Sequence, residues 1–186
     1  MRPNLCEVME LTLDKWFEEL DRHQERIPLE LLLRGLKKLR LNPAELNPFI
    51  QFSPERYRRN LIREGPAYHA LLLCWRQGQR SPIHDHRGSA CGVRVIRGEA
   101  SETVFEMTEE GIVFPTQTRP LPEGFICATE DLDIHQLSNL QSGNSDLITL
   151  HLYSPPLMVM GQYALNDSTR REFKDEVHAF AEGSGI

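Results

Sequence analysis

The stretch Gly78-Gln79-Arg80-Ser81-Pro82-Ile83-His84-Asp85-His86 constrains this chain more than any other. Histidines two residues apart share one face of a β-strand, because strand side chains alternate with period two. Two imidazoles side by side are the beginning of a transition-metal site. The residues around them fall at regular positions: Gly78 before the pair, Cys91 and Gly98 after it, then His135 followed at the fourth position by Asn139. A lone histidine in a sheet is more often a hydrogen-bonded core or surface residue than a ligand. The pair, its glycine spacing and His135 together point to a metal held by His84, His86 and His135.

The chemistry of such a site follows from its ligands. No Cys-x2-Cys pair or four-ligand cluster is present, which disfavours a structural zinc. Three neutral imidazoles leave several positions open and leave the ion's charge unbalanced. Such a centre favours an anionic incoming ligand, above all a thiolate, whose pKa a metal lowers. Iron(II) best joins imidazole ligation, open positions and oxygen chemistry.

Length and composition fit this picture. The chain has 186 residues, enough for a single domain with a substantial core. Its net charge of −6 argues against a nucleic-acid surface. No apolar run approaches the ~20 residues that span a bilayer, so no membrane partner is expected. The N-terminus shows no secretory pattern. The cysteines, Cys6, Cys74, Cys91 and Cys127, are scattered, which fits reduced thiols and a cytoplasmic location.

The first fifty residues read as helical. Met9, Leu13, Trp16, Phe17 and Leu20 form one stripe. Pro28 suits the first turn of a second helix bearing Leu29, Leu32, Leu33 and Leu36. Asn42-Pro43 reads as an N-cap and first residue of a third. From Tyr57 the pattern changes to short runs separated by Gly, Pro and Asp: 57–62, 69–75, 91–97, 101–106, 124–128 and 147–153. That spacing predicts a sandwich or barrel of antiparallel strands. The tail from Gln162 mixes a strand-like piece with the polar segment 167–176.

The two histidine motifs resemble those of the cupin superfamily, with Cys91 where the first motif usually carries glutamate. A narrower resemblance runs from about Gln51 to Met160. Tyr57-Arg58-Arg59-Asn60-Leu61, Leu73-Cys74-Trp75, Ile83-His84-Asp85-His86 and Leu150-His151-Leu152-Tyr153-Ser154-Pro155-Pro156 are similar to the thiol dioxygenases, most of all the cysteine dioxygenase type I family. The resemblance implies a mainly β fold with N-terminal helices and a small cupin-type β-barrel (jelly roll). The expected organisation is a single cupin domain over 1–186, with a helical part at 1–50, the metal-binding barrel at 51–160 and a C-terminal extension at 161–186. It also implies Fe(II) on His84, His86 and His135, and oxidation of L-cysteine by O2 to cysteine sulfinate, in a monomer with only small-molecule partners.

Thr149, His151 and Tyr153 alternate along one strand and so share a face. Alternation alone leaves open an outward polar face. The resemblance implies a pocket network in which Thr149 supports His151 and His151 positions Tyr153. Arg59 sits in a basic cluster with Arg56, Arg58 and Arg63, and locally a solvated role is as natural. The family uses an arginine here to bind the cysteine carboxylate, whereas mercaptopropionate dioxygenases typically carry glutamine. Tyr57 and Tyr153 are the further substrate-binding residues the resemblance implies.

Cys91 falls where animal cysteine dioxygenases carry a cysteine linked by a thioether to the active-site tyrosine, here Tyr153. The plain alternative is a small buried hydrophobe. Trp75 is pocket aromatic or core. Ser154-Pro155 is a candidate cis peptide. His23, His69 and His178 read as solvated or structural. Two other functions remain open: a dioxygenase for 3-mercaptopropionate or another small thiol, and a non-catalytic ligand-binding cupin. A helix-turn-helix over 32–46 lacks a recognition-helix pattern.

Overall fold

The computed structural model describes residues 11–130 and 134–179. Met9 and Cys6 therefore lie outside the described residues, as does the end of the C-terminal extension. Among the described residues three α-helices precede the strands, α1 (Leu13–Leu20), α2 (Leu29–Lys38) and α3 (Pro43–Leu46), with a 3-10 turn at Asn47–Phe49 after them. Leu13, Trp16, Phe17 and Leu20, the expected stripe of α1, are all buried. Pro28 stands just outside α2 as its N-cap, one position earlier than the sequence reading placed it. Leu32 and Leu36 are fully buried, while Leu29 and Leu33 are only half-buried at the flanks of that face. The Asn42 side chain accepts a hydrogen bond from the Ala44 amide at 3.0 Å, and Pro43 opens α3 as expected.

Among the described residues eleven strands follow: β1 (Arg58–Gly65), β2 (Tyr68–Trp75), β3 (Ile83–His84), β4 (Ala90–Arg97), β5 (Ala100–Met107), β6 (Val113–Leu121), β7 (Ile126–Glu130), β8 (Ile134–Ser138), β9 (Leu147–Ser154), β10 (Met160–Ala164) and β11 (Asp167–Phe173). They form a five-stranded sheet in the order β1-β2-β9-β4-β7 and a six-stranded sheet in the order β11-β10-β3-β8-β5-β6. Every strand pairing is antiparallel.

The central strands explain the architecture. β2 and β9 are buried at every position. Tyr68, Ala70, Leu72 and Cys74 of β2, with Ile148, Leu150 and Leu152 of β9, pack with the helical residues Trp16, Phe17, Leu32 and Leu36. The alternate residues Leu71, Leu73, Trp75, Leu147 and Tyr153 pack with Ala100, Leu121, Leu137 and Met160 of the second sheet. A strand covered on both faces needs a long apolar run, and residues 70–75 of β2 form one, with only His69 polar near the start of the strand. Gly92 brings α2 close: a Cβ there would meet Leu36 Cδ1 at 2.7 Å.

The fold is thus mainly β with N-terminal helices, and the jelly roll takes the form of two packed sheets. They do not close into the continuous barrel expected. The outermost strand β6 carries Pro115 and Pro120, which have no N–H to give to a further strand. The far edge, β11, is mostly exposed and charged. β3, β6 and β8 lie outside the runs that the turn spacing marks, and the tail segments form the β10–β11 hairpin.

Candidate metal centre and active site

His84 on β3 pairs in register with His135 on β8, and His86 follows just beyond β3. Asp85 between them faces the other way. Its Oδ1 accepts from the Gly161 amide at 2.9 Å and its Oδ2 from the Tyr163 hydroxyl at 2.6 Å, with Arg170 as an ion-pair partner. Tying Asp85 to the β10–β11 hairpin turns both histidines inward. His84, His86 and His135 are all buried.

Their nitrogens converge. His84 Nδ1 lies 3.0 Å from the Pro82 carbonyl, and His135 Nδ1 lies 3.0 Å from Glu102 Oε1. Each Nδ1 therefore donates, which leaves each Nε2 with its lone pair free. His86 Nε2 stands 3.2 Å from His135 Nε2, and one ligand atom from each of the three residues lies within 4.8 Å of the others. Two imidazole bonds of about 2.1 Å at right angles end about 3 Å apart. The donor set and its spacing fit one divalent transition metal. Burial, then the neighbouring His135, pushes His84 down to about 3, and burial with His135 and His84 lowers His86 well below its ordinary value. Both are neutral, as ligands must be.

Glu102 is a site residue the sequence reading missed. Burial acts to raise its pKa, but His135 and Arg119 outweigh that and hold it below the usual carboxylate value. A carboxylate behind a histidine fixes its tautomer and ring orientation.

Across the cavity, Thr149, His151 and Tyr153 face inward and are buried. Trp75 Nε1 donates to Thr149 Oγ1 at 3.0 Å, Thr149 Oγ1 lies 2.9 Å from His151 Nε2, and His151 Nδ1 lies 3.0 Å from the Tyr153 hydroxyl. The indole can only donate. If Thr149 donates its hydroxyl hydrogen to His151 Nε2, the indole, threonine and imidazole donors each have an acceptor. The opposite order strands the threonine proton in a dry interior, which is costly. His151 Nδ1–H then donates to Tyr153, whose own O–H points onward. Burial and the Arg59 charge lower His151 well below its ordinary value, consistent with this neutral form.

Cys91 stands directly opposite Tyr153 in the β4–β9 pairing. Burial, then Cys127, raises its thiol pKa, while the Tyr153 side chain offsets part of the effect. Arg59 is 3% exposed, with its guanidinium carbon 5.6 Å from the centre of the Tyr153 ring. Tyr57 stacks on Trp75 at 4.2 Å, and its hydroxyl donates to Asp175. Burial, then Asp175, raises the Tyr57 pKa. Asp175 is the second missed residue, and it comes from the polar tail. Arg59, Tyr57, Tyr153, His151, His84 and His135 all line one cavity. Ser154-Pro155 is cis.

The cysteine dioxygenase type I family matches residues 20–166. The chain belongs to this family. It is an enzyme, an oxidoreductase of the thiol dioxygenase kind. Cysteine dioxygenase type 1 of Danio rerio is 30% identical over 161 residues, covering 84% of this chain and 77% of the relative. The Rattus norvegicus enzyme is 31% identical over 136 residues, covering 71% and 68%. Among solved structures, a Thermus thermophilus protein, TT1209, superposes with a TM-score of 0.50 at 19% identity, over 60% of this chain and 94% of that one. That likeness speaks for the shared fold alone. In this cysteine dioxygenase family member, no helix of the described residues is long and apolar enough to cross a membrane.

Proposed function

We propose that this protein oxidises L-cysteine with dioxygen to cysteine sulfinate, using iron(II) on His84, His86 and His135. The observation that carries the substrate reading is Arg59. Its guanidinium is buried in the same cavity as His84 and His135. Among the described residues its only hydrogen-bond acceptor is the Asp175 carbonyl, at 3.4 Å. A buried guanidinium with unused donors matches a ligand carboxylate in two-point geometry.

Iron(II) there would supply the redox chemistry with dioxygen and favour the thiolate form of a bound thiol. The protein's own groups do the rest. Arg59 anchors the carboxylate and so sets where the sulfur lies, which provides the proximity term. Tyr153, oriented by His151 and through it by Thr149 and Trp75, presents its O–H to the bound substrate. Tyr57 forms an aromatic wall beside Trp75. The buried setting excludes water from the reacting sulfur.

Cys91 and Tyr153 form a thioether in this reading, between Sγ and a ring carbon. The link removes one hydrogen from the thiol and one from the ring, with dioxygen as the oxidant. What supports it is their direct cross-strand register. Intact mass after aerobic incubation with iron and cysteine should fall by two hydrogens, and Cys91→Ser should abolish the change.

The test of the substrate reading is a panel of L-cysteine, 3-mercaptopropionate and cysteamine with the iron-loaded protein, following sulfinate product. Cysteine preferred over both supports the proposal. Preference for 3-mercaptopropionate moves the assignment to that thiol, and equal use of cysteamine removes the role given to Arg59.

A further inference from the structure

Beyond β11 the chain crosses back over the cavity as a strap, residues 174–179. It is fastened to β1 by two backbone hydrogen bonds, His178 N–H to the Arg59 carbonyl and Leu61 N–H to the His178 carbonyl, each 2.9 Å. Val177 packs against the core between the sheets. This path places the Asp175 side chain, 2% exposed, inside the basic end of the cavity. Its carboxylate accepts from Arg56 and from the Tyr57 hydroxyl. Oδ2 lies 3.8 Å from Arg59 Nη1.

That last separation matters. It is too long for a direct hydrogen bond, yet close enough to offset the Arg59 charge in a buried setting. Arg59 thus keeps its donors and loses part of its field. A ligand carboxylate brought onto those donors would lie beside the Asp175 carboxylate, and like charges at such range oppose each other strongly. Arg56 does not cancel this cost alone, since its side chain is 46% exposed and screened.

We propose that Asp175 is a specificity-determining residue, an internal carboxylate that a substrate carboxylate must displace from the neighbourhood of Arg59. The inference rests on the reading of Arg59 as the carboxylate anchor. Because Asp175 is carried on a strap held to β1 by two backbone hydrogen bonds, with the Asp175 carbonyl also accepting from Arg59 at 3.4 Å, displacement loosens 174–179. A thiol without a carboxylate leaves Asp175 where it is. Asp175 therefore sets the KM for carboxylate-bearing thiols without touching the reacting sulfur.

The test uses the iron-loaded full chain and the variant Asp175→Asn, which keeps the shape and removes the charge. KM for cysteine and for 3-mercaptopropionate should fall about threefold to tenfold, a shift of up to one decade in affinity. The KM for cysteamine and the kcat for all three thiols should stay near wild type. A rise in KM for cysteine, or an equal change for cysteamine, overturns the proposal. Arg59→Gln separates the two layers. If it leaves the cysteine-to-cysteamine preference unchanged, the anchor reading itself fails. If it erases the preference while Asp175→Asn has no effect, only the role of Asp175 fails. A measurement on the wild type guards against a misfolded variant: anaerobic hydrogen exchange of peptides spanning 174–179. Cysteine should speed exchange there and cysteamine should not; protection by cysteine contradicts the displacement.

Discussion

Glu102 Oε1 lies 3.0 Å from His135 Nδ1, so a carboxylate on β5 stands directly behind a histidine on the neighbouring strand β8. Arg119 holds the other oxygen of that carboxylate, with Nε at 2.7 Å. The arrangement fixes the ring and keeps Nε2 unprotonated toward its companions. Glu102→Ala should weaken metal binding by about 10- to 100-fold, the usual cost of removing such a partner. Glu102→Gln, which still accepts a hydrogen bond, should lose less. Competition with a chelator reads both values without any assay of turnover.

Hydrogen bonds run from Trp75 to Tyr153 through Thr149 and His151, and the donor-only indole sets the direction of the row. Thr149→Val keeps the volume and removes the hydroxyl. It leaves the indole N–H and His151 Nε2 buried and unpaired, at about 1–3 kcal/mol for each group left unsatisfied. The expected result is a lower midpoint in urea unfolding and a lower kcat, with KM for cysteine little changed. Thr149→Ser should restore both.

Leu32 is fully buried between α2 and the five-stranded sheet, where Leu150 and Leu152 belong to the same core. Leu32→Ala should cost about 2–5 kcal/mol, because the packed surroundings relax only in part. The melting temperature should drop while the metal content of the folded fraction is unchanged. Loss of metal at temperatures where the variant is folded would mean that the helical layer supports the site directly.

Cys74 supplies a pH dependence. Burial, partly offset by contacts from Gln51 and Asn60, pushes its thiol up to about 11 from an ordinary 9.0. The folded state therefore resists ionisation that the unfolded chain accepts. The associated stability is fully present below pH 9.0 and is lost as pH rises to about 11. A shift of this size corresponds to about 3 kcal/mol. Unfolding free energy of the wild type should fall across that window more steeply than that of Cys74→Ala. Parallel curves would remove the thiol as the cause.

The parts of the fold that were legible are those set by local pattern. The α1 stripe, the Asn42 cap and the long apolar run of β2 each follow from neighbours within a few residues. The histidine pair and the row Thr149, His151, Tyr153 were legible for the same reason, since period two places them on one face. The strand expected under the histidine pair is only two residues long, so His86 lies beyond it, and so short a strand has no periodicity of its own. β6 was hidden by Pro115 and Pro120, which an edge strand tolerates and a central one does not. Closure of the barrel was the natural inference from strand spacing, but spacing does not say whether edge strands meet.

The missed site residues share one property. Glu102 reaches His135 across 33 positions, and Asp175 reaches Arg59 across 116. No local spacing encodes such a contact. Glu102 had one faint signal, its place in an alternating run, whereas Asp175 lay in a tail whose composition reads as solvated.

In the proposed reaction both atoms of dioxygen end up on the sulfur of cysteine. The direct measurement is turnover of the iron-loaded protein with L-cysteine under isotopically heavy dioxygen, followed by mass spectrometry of the product. The expected product is cysteine sulfinate carrying both heavy oxygen atoms, formed in step with dioxygen consumed. Cystine in place of sulfinate, or sulfinate whose oxygen comes from water, would contradict the proposed reaction.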